Sequence, residues 1–215
     1  MTGTALSTEE IWETVDVHRA ALADHLADLS DAEWAQPSLC DRWTVRDVVA
    51  DMSLNQTTVP AALRELARYR GNLNRMIRET ARREARATAT ETMISRLRAM
   101  VGTRRTAPFV THHETLIDVL VHSQDAMIPL NRTHKIDPMA AATATDRVVA
   151  TGYFKPKRRL AGLQLQADDV DWSYGRGAAV AGPMDALLLI ATGRRAGLSR
   201  LSGPGVATLA ERLPG

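Results

Sequence analysis

The chain has 215 residues, 45% hydrophobic but only 4% aromatic, with a formal net charge of +2. That length allows one large domain or a domain with an appendage, its core must be built mainly from Leu, Val, Ala, Ile and Met, and its near-balanced charge does not point to a nucleic-acid surface. A single cysteine, Cys40, excludes an internal disulfide framework and any multi-cysteine metal site and suits a reducing compartment.

Ser7-Thr8-Glu9-Glu10 reads as a capping box that starts a helix whose apolar face carries Ile11, Val15, His18, Leu22, Leu26 and Leu29. Ser30-Asp31-Ala32-Glu33 is a second box for a short turn that Pro37 stops. Thr44 caps a second helix with Asp47 three residues on, striped by Val45, Val48, Val49 and Met52, and Pro60 kinks or divides it. Gly71 and Asn72 mark a break. The region from Leu73 to Val101 is helical, polar and rich in arginine, with an interruption expected near Thr88–Thr90. A fourth helical region runs from about Thr111 to Ile128.

Four long helical regions by about residue 130 predict a four-helix bundle over residues 1–132. The remainder, 133–215, reads as a small α+β extension. Asp137-Pro138 opens a helix to about Ala150. Leu163, Leu165 and Ala167 alternate with Gln164 and Gln166 as in a strand, and Val170–Gly182 supplies a hairpin partner. Pro183–Thr192 forms an apolar helix ended by Gly193, and a short helix follows Gly203-Pro204-Gly205. The start of the chain lacks the pattern of a signal peptide, and the apolar run around Ala186–Ala191 is too short for a bilayer, so a cytoplasmic protein without a membrane segment is expected.

The most informative stretch is Asp118-Val119-Leu120-Val121-His122-Ser123-Gln124-Asp125. Spacings of four and three put Asp118, His122 and Asp125 on one helix face within an apolar run. Polar groups there cost free energy unless a metal, a charge partner or a substrate pairs with them.

The chain resembles the mycothiol-dependent maleylpyruvate isomerase-like family of DinB-like metal-binding four-helix bundles. The stretches that carry the resemblance are Pro37 to Ala50, Asp118 to Asp125, Asp171-Trp172-Ser173, and Gly182-Pro183 through Thr192-Gly193-Arg194. The resemblance implies a mainly-α, DinB-like fold and a divalent metal, usually zinc, at the open end of the bundle. It also implies mycothiol as cosubstrate in isomerase or S-transferase chemistry on a small-molecule electrophile. The ligands it implies are a histidine on the second helix, an acidic residue on the fourth and a histidine one turn later. Asp118 and His122 match the last two. Where the first is expected, after Val48-Val49-Ala50, this chain has Asp51.

Asp51, Asp118 and His122 would formally neutralise a divalent ion, so the ion would lower the pKa of a bound water or thiol less than in a site with one carboxylate. The donor set also shifts toward oxygen and harder ions. Three readings stay open. The trio binds a metal with altered preference; or His122 is a cation held between carboxylates, with a raised pKa; or His112, His113 or Asn55 replaces the missing ligand. The functional alternative to a mycothiol-dependent enzyme is a non-catalytic small-molecule-binding or stress-related protein with a degenerate metal site.

Other residues receive structural readings. Asp125 is expected to pair with an arginine and fix helix packing, with orientation of a ligand as its alternative. Cys40 is read as part of the loop leading into the second helix, with no partner histidine assignable from sequence. The arginines from Arg64 to Arg86, interleaved with Glu65, Glu79 and Glu84, read as a solvated face. His18 and His25 read as core or surface residues, and the four tryptophans as packing anchors.

Overall fold

The computed structural model describes residues 6–108, 110–152 and 154–213. Two compact units emerge. One runs from Trp12 to His134, and the other joins the residues up to Ile11 with those from Lys135 onward.

The helical unit is built from α1 (Thr8–Ala27), α2 (Asp31–Trp34), α3 (Val45–Ser53), α4 (Val59–Arg68), α5 (Leu73–Ala87), α6 (Thr90–Ala99) and α7 (His112–Met127). Local capping sets most of these boundaries. The Ser7 amide donates to Glu10 Oε2 at 2.8 Å and the Glu10 amide to Ser7 Oγ at 3.3 Å, which satisfies donors the first turn of α1 leaves over. Ser30 with Glu33, Thr44 with Asp47, and Thr111 with Glu114 close reciprocal boxes on α2, α3 and α7. Pro60 sits in the first turn of α4, so the second helical region divides there as expected. The break near Thr88 falls between α5 and α6.

Packing follows the apolar stripes. Val15, Leu22, Val45, Val48, Val49, Leu116 and Leu120 are fully buried, and Trp12, Trp34 and Trp43 are buried anchors. The arginine-rich face is laced by ion pairs: Arg83 with Glu65 at 2.8 Å, Arg96 with Glu84 at 2.5 Å and Arg82 with Glu79 at 3.5 Å. Such exposed pairs contribute little each; they keep the arginines solvated alongside carboxylates.

His18 Nδ1 and His134 Nε2 are 2.8 Å apart, and the His25 ring stands edge-on to His134. Burial, then the proximity of His18 and His25, lowers the His134 pKa from 6.5 to about 3. Below its unfolded-state pKa the unfolded chain binds a proton at His134 that the folded chain refuses. Stability is therefore lost as pH falls from about 6.5 towards 3, by at most about 1.4 kcal/mol per pH unit from this group. In chelator-treated protein, His134→Gln should flatten that limb of a urea-denaturation series; parallel profiles for wild type and variant would contradict the account.

The second unit contains α8 (Pro138–Thr151), α9 (Pro156–Leu160), β1 (Leu163–Ala167), β2 (Ser173–Gly175), β3 (Ala178–Gly182), α10 (Met184–Ala191) and α11 (Val206–Arg212). The small sheet has the order β2-β1-β3. The expected antiparallel partner is β2, with Leu165 opposite Tyr174. The rest of that segment does something sequence alternation did not convey: β3 lies on the other side of β1 and runs parallel to it, with Leu165 opposite Val180. The crossing depends on Gly177, whose φ is +133° and where a Cβ would lie 2.0 Å from the Gly162 carbonyl oxygen, so a side chain there is incompatible with this approach. Leu163, Leu165 and Val180 are buried, as are Leu187, Leu188 and Ile190 of α10, and the Trp172 indole donates to Asp146 at 2.9 Å. The architecture is thus mainly α, with a small α+β portion toward the C-terminus. No helix among the described residues is long and apolar enough to cross a membrane.

Candidate metal centre

The last turn of α3 carries Asp51, and α7 carries Asp118, His122 and Asp125 on successive turns. Because α3 packs against α7, the three predicted side chains face one another. His122 Nε2 lies 3.6 Å from Asp118 Oδ1 and 4.0 Å from Asp51 Oδ2, and one ligand atom from each residue falls within 4.8 Å of the others. Two donors on a tetrahedral ion with bonds near 2.0–2.1 Å stand about 3.3 Å apart, so to share an ion with His122 Nε2 the Asp118 and Asp51 oxygens would need to approach it by about 0.3 and 0.7 Å from the 3.6 and 4.0 Å seen here. The three side chains are 17–23% exposed, partly reachable from solvent.

The electrostatics favour a cation here. Burial pushes the Asp51 carboxyl up from 3.8 to about 7; attraction to His122 opposes this and repulsion from Asp118 adds to it. Burial disfavours a charged His122, but its hydrogen bond to Asp125, its contact with Cys40 and the charge of Asp118 prevail, and its pKa stands well above the ordinary histidine value. In the metal-free centre these neighbours thus favour the charged form of His122, as the second reading above expects of that residue.

Among the described residues, Asp125 pairs with His122 rather than with an arginine. It is fully buried, and its Oδ2 is 2.8 Å from His122 Nδ1 while accepting from the Cys40 thiol at 3.1 Å. With Nδ1 engaged by Asp125, Nε2 is the nitrogen presented to Asp51 and Asp118. A buried carboxylate behind a histidine fixes both ring orientation and tautomer. Cys40, read as part of the loop into the second helix with no partner histidine assignable, does meet one: its sulfur lies 3.8 Å from His122 Nδ1, and it forms a second cluster of potential ligands with His122 and Asp125. The loop is pinned there by backbone bonds: the Leu39 amide donates to the Asp125 carbonyl at 3.1 Å, the Trp43 amide to the Cys40 carbonyl at 3.0 Å, and the Cys40 amide to Ser38 Oγ at 3.1 Å.

Asn55, weighed as a replacement ligand, instead directs its amide NH₂ at Asp118 Oδ2 and holds that carboxylate. His112 and His113 set their rings against each other at a tilt in the first turn of α7 and belong to neither potential ligand cluster among the described residues. Sequence reasoning also missed Arg19 of α1. It is 3% exposed, donates to the Met100 carbonyl at 3.1 Å, and keeps its charge, against burial that lowers its pKa, partly through Asp118 and Asp16.

The sequence profile of the mycothiol maleylpyruvate isomerase N-terminal domain matches residues 15–127, more than half of the chain and all within the helical unit. No curated protein matches. Two solved structures share the DinB-like fold: the mycothiol-dependent maleylpyruvate isomerase, at 17% identity, and a mutant of it, at 16%. In each case the TM-score is 0.60 and the alignment covers 94% of this chain and 96% of the other.

Proposed function

As the chain belongs to the family defined by the mycothiol maleylpyruvate isomerase N-terminal domain, we propose that it is a mycothiol-dependent, metal-assisted isomerase or S-transferase acting on a small electrophile. Asp51, Asp118 and His122 would hold a divalent cation. The observation that carries this reading is the convergence of those ligand atoms within 4.8 Å around a carboxyl that burial has pushed up to about 7. A half-buried pair of carboxylates facing an imidazole is a donor set that a divalent ion satisfies without further charge.

The chain's own residues would divide the work. Asp125 holds the proton on His122 Nδ1, so that the Nε2 lone pair is available for ligation. Asn55 orients Asp118, and the loop pinned by Leu39 and Trp43 keeps Cys40 against Asp125. A bound divalent cation would supply Lewis-acid polarisation that lowers the pKa of an adjacent thiol or water. With two carboxylates in the set, that lowering is weaker than with one, and oxygen-preferring ions compete better with zinc.

Tag-free protein should contain a stoichiometric divalent ion and convert maleylpyruvate or transfer mycothiol to a small electrophile. Asp51→Ala should cost most of both. Absence of metal after reconstitution with zinc, nickel and manganese, together with absence of thiol transfer, would refute the enzyme reading. That outcome favours the second reading, a non-catalytic small-molecule-binding protein, which draws its support from Asp51 and from the self-neutralising network around His122.

A further inference from the structure

We propose that Cys40 Sγ, His122 Nδ1 and Asp125 Oδ2 form a second ligand set, for a soft, thiophilic divalent ion, and that filling it withdraws His122 from Asp51 and Asp118. The site stands on its own atoms; only the withdrawal rests on the ligands of the proposed function.

The three donor atoms converge within 4.8 Å of one another. Sγ lies 3.8 Å from Nδ1 and 3.1 Å from Oδ2, and Nδ1 lies 2.8 Å from Oδ2. On a tetrahedral ion with zinc's bond lengths, a sulfur stands roughly 3.6 Å from a nitrogen or oxygen donor, and a nitrogen about 3.3 Å from an oxygen. No pair therefore has to move by more than about half an ångström; a larger soft ion asks for somewhat more. The set is also held in place. Asp125 is fully buried on α7, and the loop that carries Cys40 is tied to it by the Leu39 amide, which donates to the Asp125 carbonyl at 3.1 Å. Cys40 itself is half-buried, so its sulfur is within reach of an ion arriving from solvent.

The chemistry of the donors separates this set from its neighbour. A thiolate selects soft ions, whereas Asp51 and Asp118 offer oxygen. Ligation breaks the Cys40 S–H bond and removes the proton from His122 Nδ1, and both protons pass to solvent. With His122 in the charged form that its neighbours favour, two protons are thereby exchanged for one divalent ion, and the charge of the site is unchanged. Nε2 keeps its proton and faces Asp118 and Asp51 at 3.6 and 4.0 Å. A protonated ring nitrogen has no lone pair to give, so one imidazole serves one set at a time.

The test uses cadmium as the soft probe and manganese as the hard one, on tag-free, chelator-stripped protein with its thiol kept reduced. In wild type, cadmium should bind with an ultraviolet sulfur-to-cadmium charge-transfer band and release bound manganese. Nitrogen-15 spectra of histidine-labelled protein should show His122 ligated at Nδ1 and protonated at Nε2. Cys40→Ser should abolish the band and raise the cadmium needed to release manganese at least about tenfold. Asp125→Asn keeps the thiol, yet should weaken cadmium by a similar factor; Asp51→Asn should keep the band and lose manganese. Undiminished cadmium affinity in Asp125→Asn, with folding checked by far-ultraviolet dichroism, would reveal a lone thiol and overturn the site. An unligated Nδ1 in cadmium-bound wild type would overturn it without any variant, and manganese retained beside cadmium would overturn the withdrawal. Cadmium ligated at Nδ1 in a wild type that never binds manganese would instead count against the ligand set of the proposed function, so the two failures are distinguishable.

Discussion

In chelator-treated protein, His122→Ala should lower the unfolding free energy by about 3–5 kcal/mol, the usual cost of leaving a buried charge without its partner. Asp125 is fully buried, and the substitution removes the imidazole that stands 2.8 Å from its Oδ2, an atom that the Cys40 thiol also reaches at 3.1 Å. A neutral sulfhydryl is a weak donor and cannot replace the imidazolium. The carboxyl would respond partly by taking up a proton, which moves the loss toward the lower end of the range. Adding Asp125→Asn should then restore part of the loss, because the buried charge is gone while an acceptor for Cys40 remains. Urea denaturation of the two single variants and the double variant closes a thermodynamic cycle, and a coupling energy below about 0.5 kcal/mol would mean that the pair does not act as a unit. The same His122→Ala protein should bind no divalent ion at the Asp51–Asp118 cluster, a separate result from the stability change.

How much of this was visible in the chain depends on the range of the interactions. The capping boxes at Ser7, Ser30 and Thr44 are three-residue motifs and read directly. The alignment of Asp118, His122 and Asp125 is likewise a consequence of helical repeat. Asp51 entered the site only through the family resemblance, because nothing within α3 says which neighbour it faces. Asp125 was assigned the wrong partner although the signal was present: a histidine three residues earlier on the same face is a nearer candidate than a distant arginine. Cys40 carried no such signal. It lies 82 residues from His122, and the loop's backbone bond to the Asp125 carbonyl, which brings it there, is a tertiary contact. His134, 116 residues from His18, was invisible for the same reason. The parallel pairing of β3 depends on how closely Gly177 can approach Gly162, which alternation in a strand cannot encode.

Asp51→His, which installs the residue that the resemblance places at this position, should shift the centre's selectivity toward zinc over manganese by roughly tenfold or more, about 1.4 kcal/mol. Replacing an oxygen donor by an imidazole removes one of two carboxylates from the set, so an ion bound there retains a positive charge that Asp51 now offsets. The longer side chain also reaches further from α3, which relieves the need for the ion to sit close to that helix. In metal-free protein the same change removes the attraction between Asp51 and His122 and sets two imidazoles opposite each other. The variant should therefore be less stable than wild type without metal, and gain more in thermal midpoint when zinc is added. Competition between zinc and manganese against a fluorescent chelator measures the first effect, and paired melting curves the second. An unchanged zinc-to-manganese ratio would mean that position 51 does not touch the ion, and the ligand set would have to be sought on the other side of His122, at Cys40 and Asp125.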